Sequence, residues 1–296
     1  MQPRPRRDQS GTGVTLLLPD EASSPVTATI AALFVYPVKS CRGLQRSAVL
    51  VTERGLAHDR EWMIVDAAGR FISQREVPRL ALIVPALSAA ALELTAPGMA
   101  AVTIPFDRSG VTLPVTVWRD TLPAIDQGDA VAAWISAWIG SAARLVRFDP
   151  RLRRTCDPAY AGDTEAHTAF ADAYPLLVLS EASLADLNQR LESPLPLNRF
   201  RPNVVLSGVD AYDEDHIDEL AVAGVTMKLV KPCTRCLITT TDQETGERGV
   251  EPLATLASYR MNDTLGGVAF GVNAIITAGA GEVIRAGAAA RYSLRF

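Results

Sequence analysis

Cysteine and histidine are scarce in this chain of 296 residues, which holds four cysteines and three histidines. Small secreted domains stabilised by disulfides carry many closely spaced cysteines, so this usage predicts no disulfide framework and favours a reducing, cytoplasmic location. A structural zinc site needs four ligands, usually supplied as two short pairs. Only one such pair, Cys233 and Cys236, is present, so zinc is not favoured.

An excess of charge and long apolar segments are also lacking. The formal net charge of −4 provides no global positive field that would favour nucleic acid or an anionic membrane as partner. No stretch approaches the roughly 18 apolar residues of a membrane helix. We therefore expect neither nucleic acid nor a membrane among the partners.

Arginine is nevertheless concentrated in one short part of the chain. A run of this kind usually forms a solvated face, and here it is also a candidate docking patch for an acidic partner protein. The run consists of Arg144, Arg147, Arg151, Arg153 and Arg154. The first 27 residues are rich in Pro, Ser, Gly and charge, which predicts a flexible tail.

Short apolar and alternating runs separated by Gly and Pro predict a fold that is mostly β with a few helices, in the α+β class. Helical spacing of apolar residues predicts helices over residues 129–139, 180–191 and 252–259. The predicted strands are 29–38, 48–52, 61–65, 70–72, 91–94, 101–104, 111–118, 176–179, 203–206, 219–222, 225–230 and 237–241. A polar, basic segment near residues 147–165 is the expected domain junction.

The tetrapeptide Cys233-Thr234-Arg235-Cys236 places two thiols beside cations, since Lys231 precedes it. Neighbouring cations favour the thiolate, which is the form that reacts and binds metals. A thioredoxin-like dithiol needs a helix after the motif, and the β-branched residues that follow predict a strand instead. A soft metal site and a pair of inert buried thiols both remain open on these residues alone.

Three distant elements add cations at the ends of predicted strands. They are Lys39-Ser40, the segment His58-Asp59-Arg60, and Asn198-Arg199-Phe200-Arg201-Pro202-Asn203. Lys and Arg beside hydrogen-bonding residues suit a phosphate or another polyanion, and Arg can bind two oxygens at once. Each element is weak alone, because surface cations of this kind need no function.

Together these elements resemble the MOSC superfamily, which takes its name from the C-terminal domain of molybdenum cofactor sulfurases. Their order is most similar to the mitochondrial amidoxime-reducing component family and its bacterial relatives, from about residue 30 onwards. The resemblance implies a β-barrel-like MOSC N-terminal domain over residues 28–147 and a β-barrel MOSC domain over residues 148–296. The resembling segments are Tyr36-Pro37-Val38-Lys39-Ser40, Asp59-Arg60, Leu179-Ser180-Glu181-Ala182-Ser183-Leu184, Phe200-Arg201-Pro202-Asn203, Cys233-Thr234-Arg235-Cys236 and Glu251-Pro252-Leu253.

The resemblance also implies a cofactor site. In the family a pterin-based molybdenum cofactor lies between the two domains, and the second cysteine of the motif, here Cys236, ligates the metal and is the catalytic centre. The positions that correspond to cofactor-binding residues are Lys39, Ser40, Arg60, Asp172, Ala173, Tyr174, Arg201, Asn203, Thr234, Arg235 and Asn273. Among them, Ala173 and Tyr174 depart from the Asp-Thr-Ser pattern of relatives. Cys233 would be a neighbour of the ligand rather than a ligand.

The implied activity is reduction of N-hydroxylated compounds such as amidoximes, hydroxylamines and N-oxides. Electrons are expected from a separate iron–sulfur or haem protein, because the chain has no cysteine set for an iron–sulfur cluster. Two alternatives remain. One is a non-catalytic carrier of the molybdenum cofactor, and the other is a sulfur-transfer protein that bears a persulfide and needs a pyridoxal-phosphate desulfurase as partner.

Overall fold

The computed structural model describes residues 26–107 and 109–295. Most of the predicted flexible tail, up to residue 25, lies outside the described residues. Val26 and Thr27, which the prediction included in that tail, instead begin the first strand and pair with Tyr292 and Arg291.

Strands dominate the described part of the chain, which confirms the mostly-β prediction. The strands before residue 150 are β1 Val26–Val35, β2 Leu44–Arg46, β3 Ala48–Thr52, β4 Gly55–Leu56, β5 Trp62–Asp66, β6 Val84–Leu87, β7 Ala91–Thr95, β8 Val102–Pro105, β9 Thr112–Val117, β10 Asp120–Asp126 and β11 Ala143–Phe148. The later strands are β12 Arg154–Thr155, β13 His167–Thr168, β14 Leu176–Ser180, β15 Val204–Ser207, β16 Ile217–Val222, β17 Val225–Thr234, β18 Met261–Asn262, β19 Gly267–Ala278, β20 Val283–Arg285 and β21 Ala289–Leu294. The α-helices are α1 Asp129–Ile139, α2 Pro158–Ala161, α3 Glu181–Arg190 and α4 Leu253–Ala257.

Seven strands close a barrel in the order β14, β15, β1, β21, β16, β17 and β19, and β19 pairs back onto β14. Side chains that alternate along these strands fill the interior, among them Ile30, Leu206, Leu220 and Met227. Burying an aliphatic side chain of this size stabilises the fold by about 1.5–3 kcal/mol. The first strand thus completes a barrel whose other strands all lie after residue 175. The predicted division between residues 147 and 148 stays a prediction.

The other sheets come largely from the first half of the chain. One has the order β5, β11, β10, β9 and another the order β6, β7, β8. Helix α1 packs Val131, Ile135 and Trp138 into their shared core. It ends at Gly140, whose φ of 80° gives the left-handed cap that glycine adopts without strain. The apolar spacing predicted the same bounds for this helix.

The predicted strand over residues 237–241 is wrong. Residues Leu237–Thr240 form a single 3-10 turn instead. The hydroxyls of Thr239 and Thr240 donate to the carbonyls of Cys236 and Leu237, each at 2.9 Å. Threonine hydroxyls can satisfy backbone carbonyls in this way and so compete with strand pairing. The β-branched composition therefore misled the prediction.

The arginine run does not form one solvated face, so the predicted patch is also wrong as a five-residue surface. Arg147 is buried and pairs with Glu61 at 2.8 Å. Arg154 pairs with Asp120 at 2.8 Å with only a tenth of its side chain exposed. Only Arg151 and Arg153 of the run are largely exposed. Strand alternation in β11 and contacts with distant carboxylates divide the run between interior and surface.

None of the helices in the described ranges is long and apolar enough to cross a bilayer.

Helix α3 begins on a buried polar group. Ser180, the first residue of the predicted helix 180–191, caps the helix by accepting a hydrogen bond from the Ser183 amide at 3.0 Å. Glu214, of which only 1% is exposed, accepts from the Ser180 amide at 3.1 Å. Burial raises the pKa of Glu214 above its ordinary value, although the hydrogen bonds from Ser183 and Ser180 act in the opposite direction.

We expect this carboxyl to make stability depend on pH. A raised folded-state pKa means that the native state binds the proton more tightly than the unfolded chain, so the slope of stability against pH is negative. The contribution is complete below about pH 4.3, the pKa of an unfolded glutamate, and is lost as the pH rises through the folded-state value. Glu214→Gln, which keeps the size and the acceptor, should abolish this loss and be more stable than the wild type at pH 8.

Urea unfolding of both proteins from pH 4 to pH 8 measures the difference. The matched control is Glu219→Gln on the exposed side of β16, which should leave the pH slope unchanged. A Glu214→Gln protein that is less stable than the wild type at pH 8 would contradict the expectation.

Candidate functional site

One open cavity brings together all twelve residues that the family resemblance assigned to the site. Its empty volume is about 830 Å³, part of it open to solvent, which is within the range of small-molecule sites. The twelve residues are Lys39, Ser40, Arg60, Asp172, Ala173, Tyr174, Arg201, Asn203, Thr234, Arg235, Cys236 and Asn273. Their roles as cofactor and metal ligands stay predictions.

The two cysteines of the motif differ in their surroundings. Cys236 is exposed and lies in extended backbone immediately before the 3-10 turn Leu237–Thr240. Cys233 lies near the end of β17, and its sulfur accepts a hydrogen bond from Arg235 Nη1 at 3.0 Å. Within the described ranges, no three His, Cys, Asp or Glu side chains are grouped so that they could hold a metal ion. The soft donor atoms in the described lining of this cavity are the sulfurs of Cys233 and Cys236.

Two of the arginines that line the cavity stack on the ring of Tyr36. The guanidinium carbons of Arg60 and Arg201 lie 4.3 Å and 4.2 Å from the centre of its ring, and its hydroxyl donates to the Pro202 carbonyl at 3.0 Å. Burial and the nearby charge of Arg60 lower the pKa of Arg201 to about 10. Burial raises the pKa of Tyr36, so its hydroxyl remains a donor. The ring thus holds two like charges side by side.

Lys39 and Asp172 form an ion pair across the cavity, and Lys39 also donates to the Phe170 carbonyl at 2.7 Å. Burial lowers the pKa of Lys39, although Asp172 favours its charged form. Desolvation opposes ionisation of Asp172, but the Lys39 ammonium and the indole N–H of Trp118, at 3.0 Å, outweigh it and lower the pKa of the carboxyl. These contacts hold the Lys39 amine and the Asp172 carboxyl in position at the cavity.

Three of the seven non-glycine residues with positive φ in the described part of the chain line this cavity. Ser40, Arg60 and Arg201 have φ values of 67°, 46° and 57°, in the left-handed region that side chains other than glycine rarely adopt. Such conformations cost about 1–3 kcal/mol each and persist where the surrounding structure enforces them. Their grouping around one cavity favours a functional role for it.

The remaining predicted residues connect the cavity to the barrel. Asn203 accepts a hydrogen bond from Arg60 at 2.8 Å and donates to the Phe34 carbonyl at 3.1 Å. Asn273 donates to the Lys231 carbonyl at 3.1 Å. Tyr174 differs from the others, because its ring is part of a buried apolar cluster.

The charge and hydrogen-bonding capacity of the cavity suit an anion. Its described lining holds five cations, namely Lys39, Arg60, Arg75, Arg201 and Arg235, against one carboxylate, Asp172. Arg201 Nη2 and Arg235 Nε are buried and have no hydrogen-bond partner among the described residues. A buried donor without a partner costs free energy, which a bound phosphate could recover. The residues therefore fit a cofactor that carries a phosphate and a metal with affinity for thiolate.

Sequence reasoning missed one wall of this cavity. Phe71, Ser73 and Arg75 line it, and Trp118 contacts Arg75 from the turn between β9 and β10. The sequence placed Trp118 at the end of a strand and assigned no role to Arg75. Arg75 and Trp118 are more than 40 positions apart in the sequence. No local sequence pattern connects residues at that separation, so this wall could not be predicted from motifs.

Comparison with known proteins agrees with the cavity chemistry. Residues 27–142 match the MOSC N-terminal beta barrel domain, and residues 165–290 match the MOSC domain. The chain is 39% identical over 246 residues to mitochondrial amidoxime-reducing component 1 of Homo sapiens, covering 79% of this chain and 73% of that protein. It is 38% identical over 248 residues to mitochondrial amidoxime reducing component 2 of Rattus norvegicus, with the same coverage of both. The chain therefore belongs to the MOSC-domain family that includes the mitochondrial amidoxime-reducing components.

Proposed function

We propose that the protein is a molybdenum-cofactor-dependent oxidoreductase that reduces N-hydroxylated compounds such as amidoximes, hydroxylamines and N-oxides. The observation that carries the proposal is the exposed thiol of Cys236 in a cavity lined by five cations and one carboxylate. The relatives that are named for amidoxime reduction support the same reaction class.

Each part of the cavity would hold one part of the cofactor. Cys236 would ligate molybdenum, because thiolates suit soft metals. Arg201 and Arg235 have unused buried donors for a phosphate, and Arg60 and Lys39 add compensating charge. When bound, the cofactor supplies the two-electron chemistry that cleaves an N–O bond. The overall reduction consumes two electrons and two protons and releases water.

The protein's own contribution is positioning. The Arg235 amide donates to the Val268 carbonyl at 2.8 Å, and Arg235 Nη2 donates to the Phe200 carbonyl at 2.6 Å. These contacts fix Arg235, the residue before Cys236, both to strand β19 and to the segment that contains Phe200. Because Cys236 is itself exposed, a substrate can approach the thiol side of the cavity from solvent.

In this proposal, a separate protein of iron–sulfur or haem type supplies the electrons. The proposal also includes a cytoplasmic location. All four cysteines, Cys41, Cys156, Cys233 and Cys236, are free thiols, which favours a reducing compartment.

The test is molybdenum and pterin analysis of protein made in a host that synthesises the cofactor, together with reduction of benzamidoxime by a reduced dye. Near-stoichiometric molybdenum with turnover is the expected result. A molybdenum-free protein would refute the proposal. Bound molybdenum without any turnover would identify a carrier, and a trapped persulfide without metal would identify sulfur transfer.

A further inference from the structure

The wall that the sequence missed has an unusual construction. Trp118 lies against Phe71, with 5.0 Å between ring centres, and its indole N–H donates to Asp172 at 3.0 Å. The guanidinium carbon of Arg75 lies 4.2 Å from the centre of the same indole. Arg75 and Phe71 line the cavity that Cys236 also lines. The indole thus supports an arginine at the edge of the candidate site.

The turn itself does not explain a tryptophan at this position. Val117 pairs with Asp120, so Trp118 is the first residue of a two-residue hairpin turn, and its φ is 57°. Glycine and asparagine are favoured there, and a bulky side chain with positive φ is strained. Burial does not explain it either, because 43% of Trp118 is exposed. Strain of this kind at a cavity favours a functional explanation.

Arg75 also differs from the other cations of the cavity. Lys39 pairs with Asp172, and Arg60 pairs with Asp59. Arg201 and Arg235 have no carboxylate partner among the described residues either, but each donates to a backbone carbonyl at 2.6 Å, that of Cys41 and that of Phe200 respectively. Among the residues that the structure describes, no carboxylate lies within ion-pair distance of Arg75, and its side chain makes one long hydrogen bond, from Nε to Ser73 Oγ at 3.4 Å. Stacking on an indole holds the guanidinium plane while its edge donors remain available.

We propose that Arg75, supported by Trp118, binds a carboxylate of the substrate, so that the site favours N-hydroxylated compounds that carry a carboxylate beside a planar group. The inference rests on the proposed function and specifies its substrate class. The edge of a guanidinium binds both oxygens of a carboxylate through two parallel hydrogen bonds. Phe71, which lines the same cavity, supplies apolar surface for the planar part of the same molecule.

The test compares benzamidoxime with 4-carboxybenzamidoxime, which differ by one carboxylate. For Arg75→Gln we expect the ratio of kcat/KM, acid over neutral substrate, to fall about tenfold relative to the wild type, mainly through KM. Arg75→Lys, which keeps the charge without the paired donors, should fall in between. The matched control is Arg119→Gln, which removes an exposed charge from the same turn and should leave the ratio unchanged.

Calorimetric binding of the two compounds to the same proteins requires no turnover. It therefore separates this inference from the proposed function: if the wild type reduces neither compound, the proposed function fails, and the affinity ratio still tests Arg75. An affinity ratio that Arg75→Gln leaves unchanged would overturn the inference. Loss of molybdenum from Arg75→Gln would also overturn it, because Arg75 would then bind the cofactor.

Trp118→Gly separates binding from folding. Glycine suits a turn residue with positive φ, so we expect an unchanged or higher Tm. The preference for the acid should nevertheless fall, because Arg75 loses its support. A Trp118→Gly protein that keeps the full preference would contradict the supporting role of the indole.

Discussion

Cys236→Ser is expected to lower the rate of benzamidoxime reduction at least about 100-fold. Removing a residue that only hydrogen-bonds to a metal ligand costs about 10- to 100-fold, and loss of the ligand itself should cost at least as much. A serine hydroxyl is a poor ligand for a soft metal, whereas the thiolate is the form that suits it. Cys236 is exposed, so the substitution removes no core contact and Tm should stay within a few degrees of the wild type. Molybdenum content, activity and Tm are measured on the same preparation.

Cys233→Ser is the matched control, because it is the same substitution three residues earlier. The Cys233 sulfur accepts from Arg235 Nη1 at 3.0 Å, and a serine hydroxyl can accept the same hydrogen bond. We therefore expect less than about a tenfold loss of activity, typical of an outer partner. Equal losses for the two serine variants would show that the cysteines act as one dithiol unit and would refute the asymmetric assignment.

The structure around the two cysteines agrees with the sequence-based prediction only in part. The motif left a soft metal site and a pair of inert thiols open, and the argument against a thioredoxin-like dithiol rested on a strand after Cys236. That strand is a 3-10 turn, but Cys233 itself lies in β17 rather than before a helix. In the described segment, no long helix begins at the motif that could activate a dithiol. The reason is the position of Cys233 in β17 and the short turn after Cys236, and not the strand that was expected there. Local composition could not predict the turn, because the threonine hydroxyls there donate to backbone carbonyls that a strand would pair with a neighbour.

Elements whose signals are local were predictable. Helix α1 has apolar spacing and a glycine at its end, and its bounds are those that the sequence predicted. Features that depend on distant partners were not predictable. Arg147 is buried in an ion pair with Glu61, and Arg75 lines the cavity while it stacks on Trp118. No spacing rule carries information across such separations.

Gly43→Ala is expected to destabilise the protein and to weaken cofactor retention together. A methyl group at residue 43 would lie 2.6 Å from Tyr36 Cδ1 and closer still to Cε1, which is shorter than any normal carbon contact. The ring cannot easily move, because only 2% of Tyr36 is exposed and its hydroxyl is bonded to Pro202. Overpacking costs about 1–3 kcal/mol, which exceeds the gain of about 0.4–1 kcal/mol from restricting a glycine in the unfolded chain.

The effect on the cofactor follows from what the ring carries. Arg60 and Arg201 both stack on Tyr36, so a displaced ring moves two of the five cations that line the cavity. We expect the molybdenum and pterin content of Gly43→Ala to fall with its free energy of unfolding. Gly249→Ala is the matched control, because the nearest atom to a methyl group there is 3.9 Å away and its φ is not in the left-handed region. It should change the free energy of unfolding by less than about 0.5 kcal/mol.

A double-mutant cycle with Tyr36→Leu distinguishes steric strain at the ring from a general weakening of the fold. Leucine removes the ring that the new methyl group meets, so adding Gly43→Ala to Tyr36→Leu should cost much less than adding it to the wild type. Cofactor content should stay low in both proteins that carry Tyr36→Leu, because the arginines have lost the ring on which they stack. Additive losses of stability would contradict a clash between residues 43 and 36. Full cofactor content in Tyr36→Leu would show that the arginines hold their positions without the ring, and that the glycine serves packing alone.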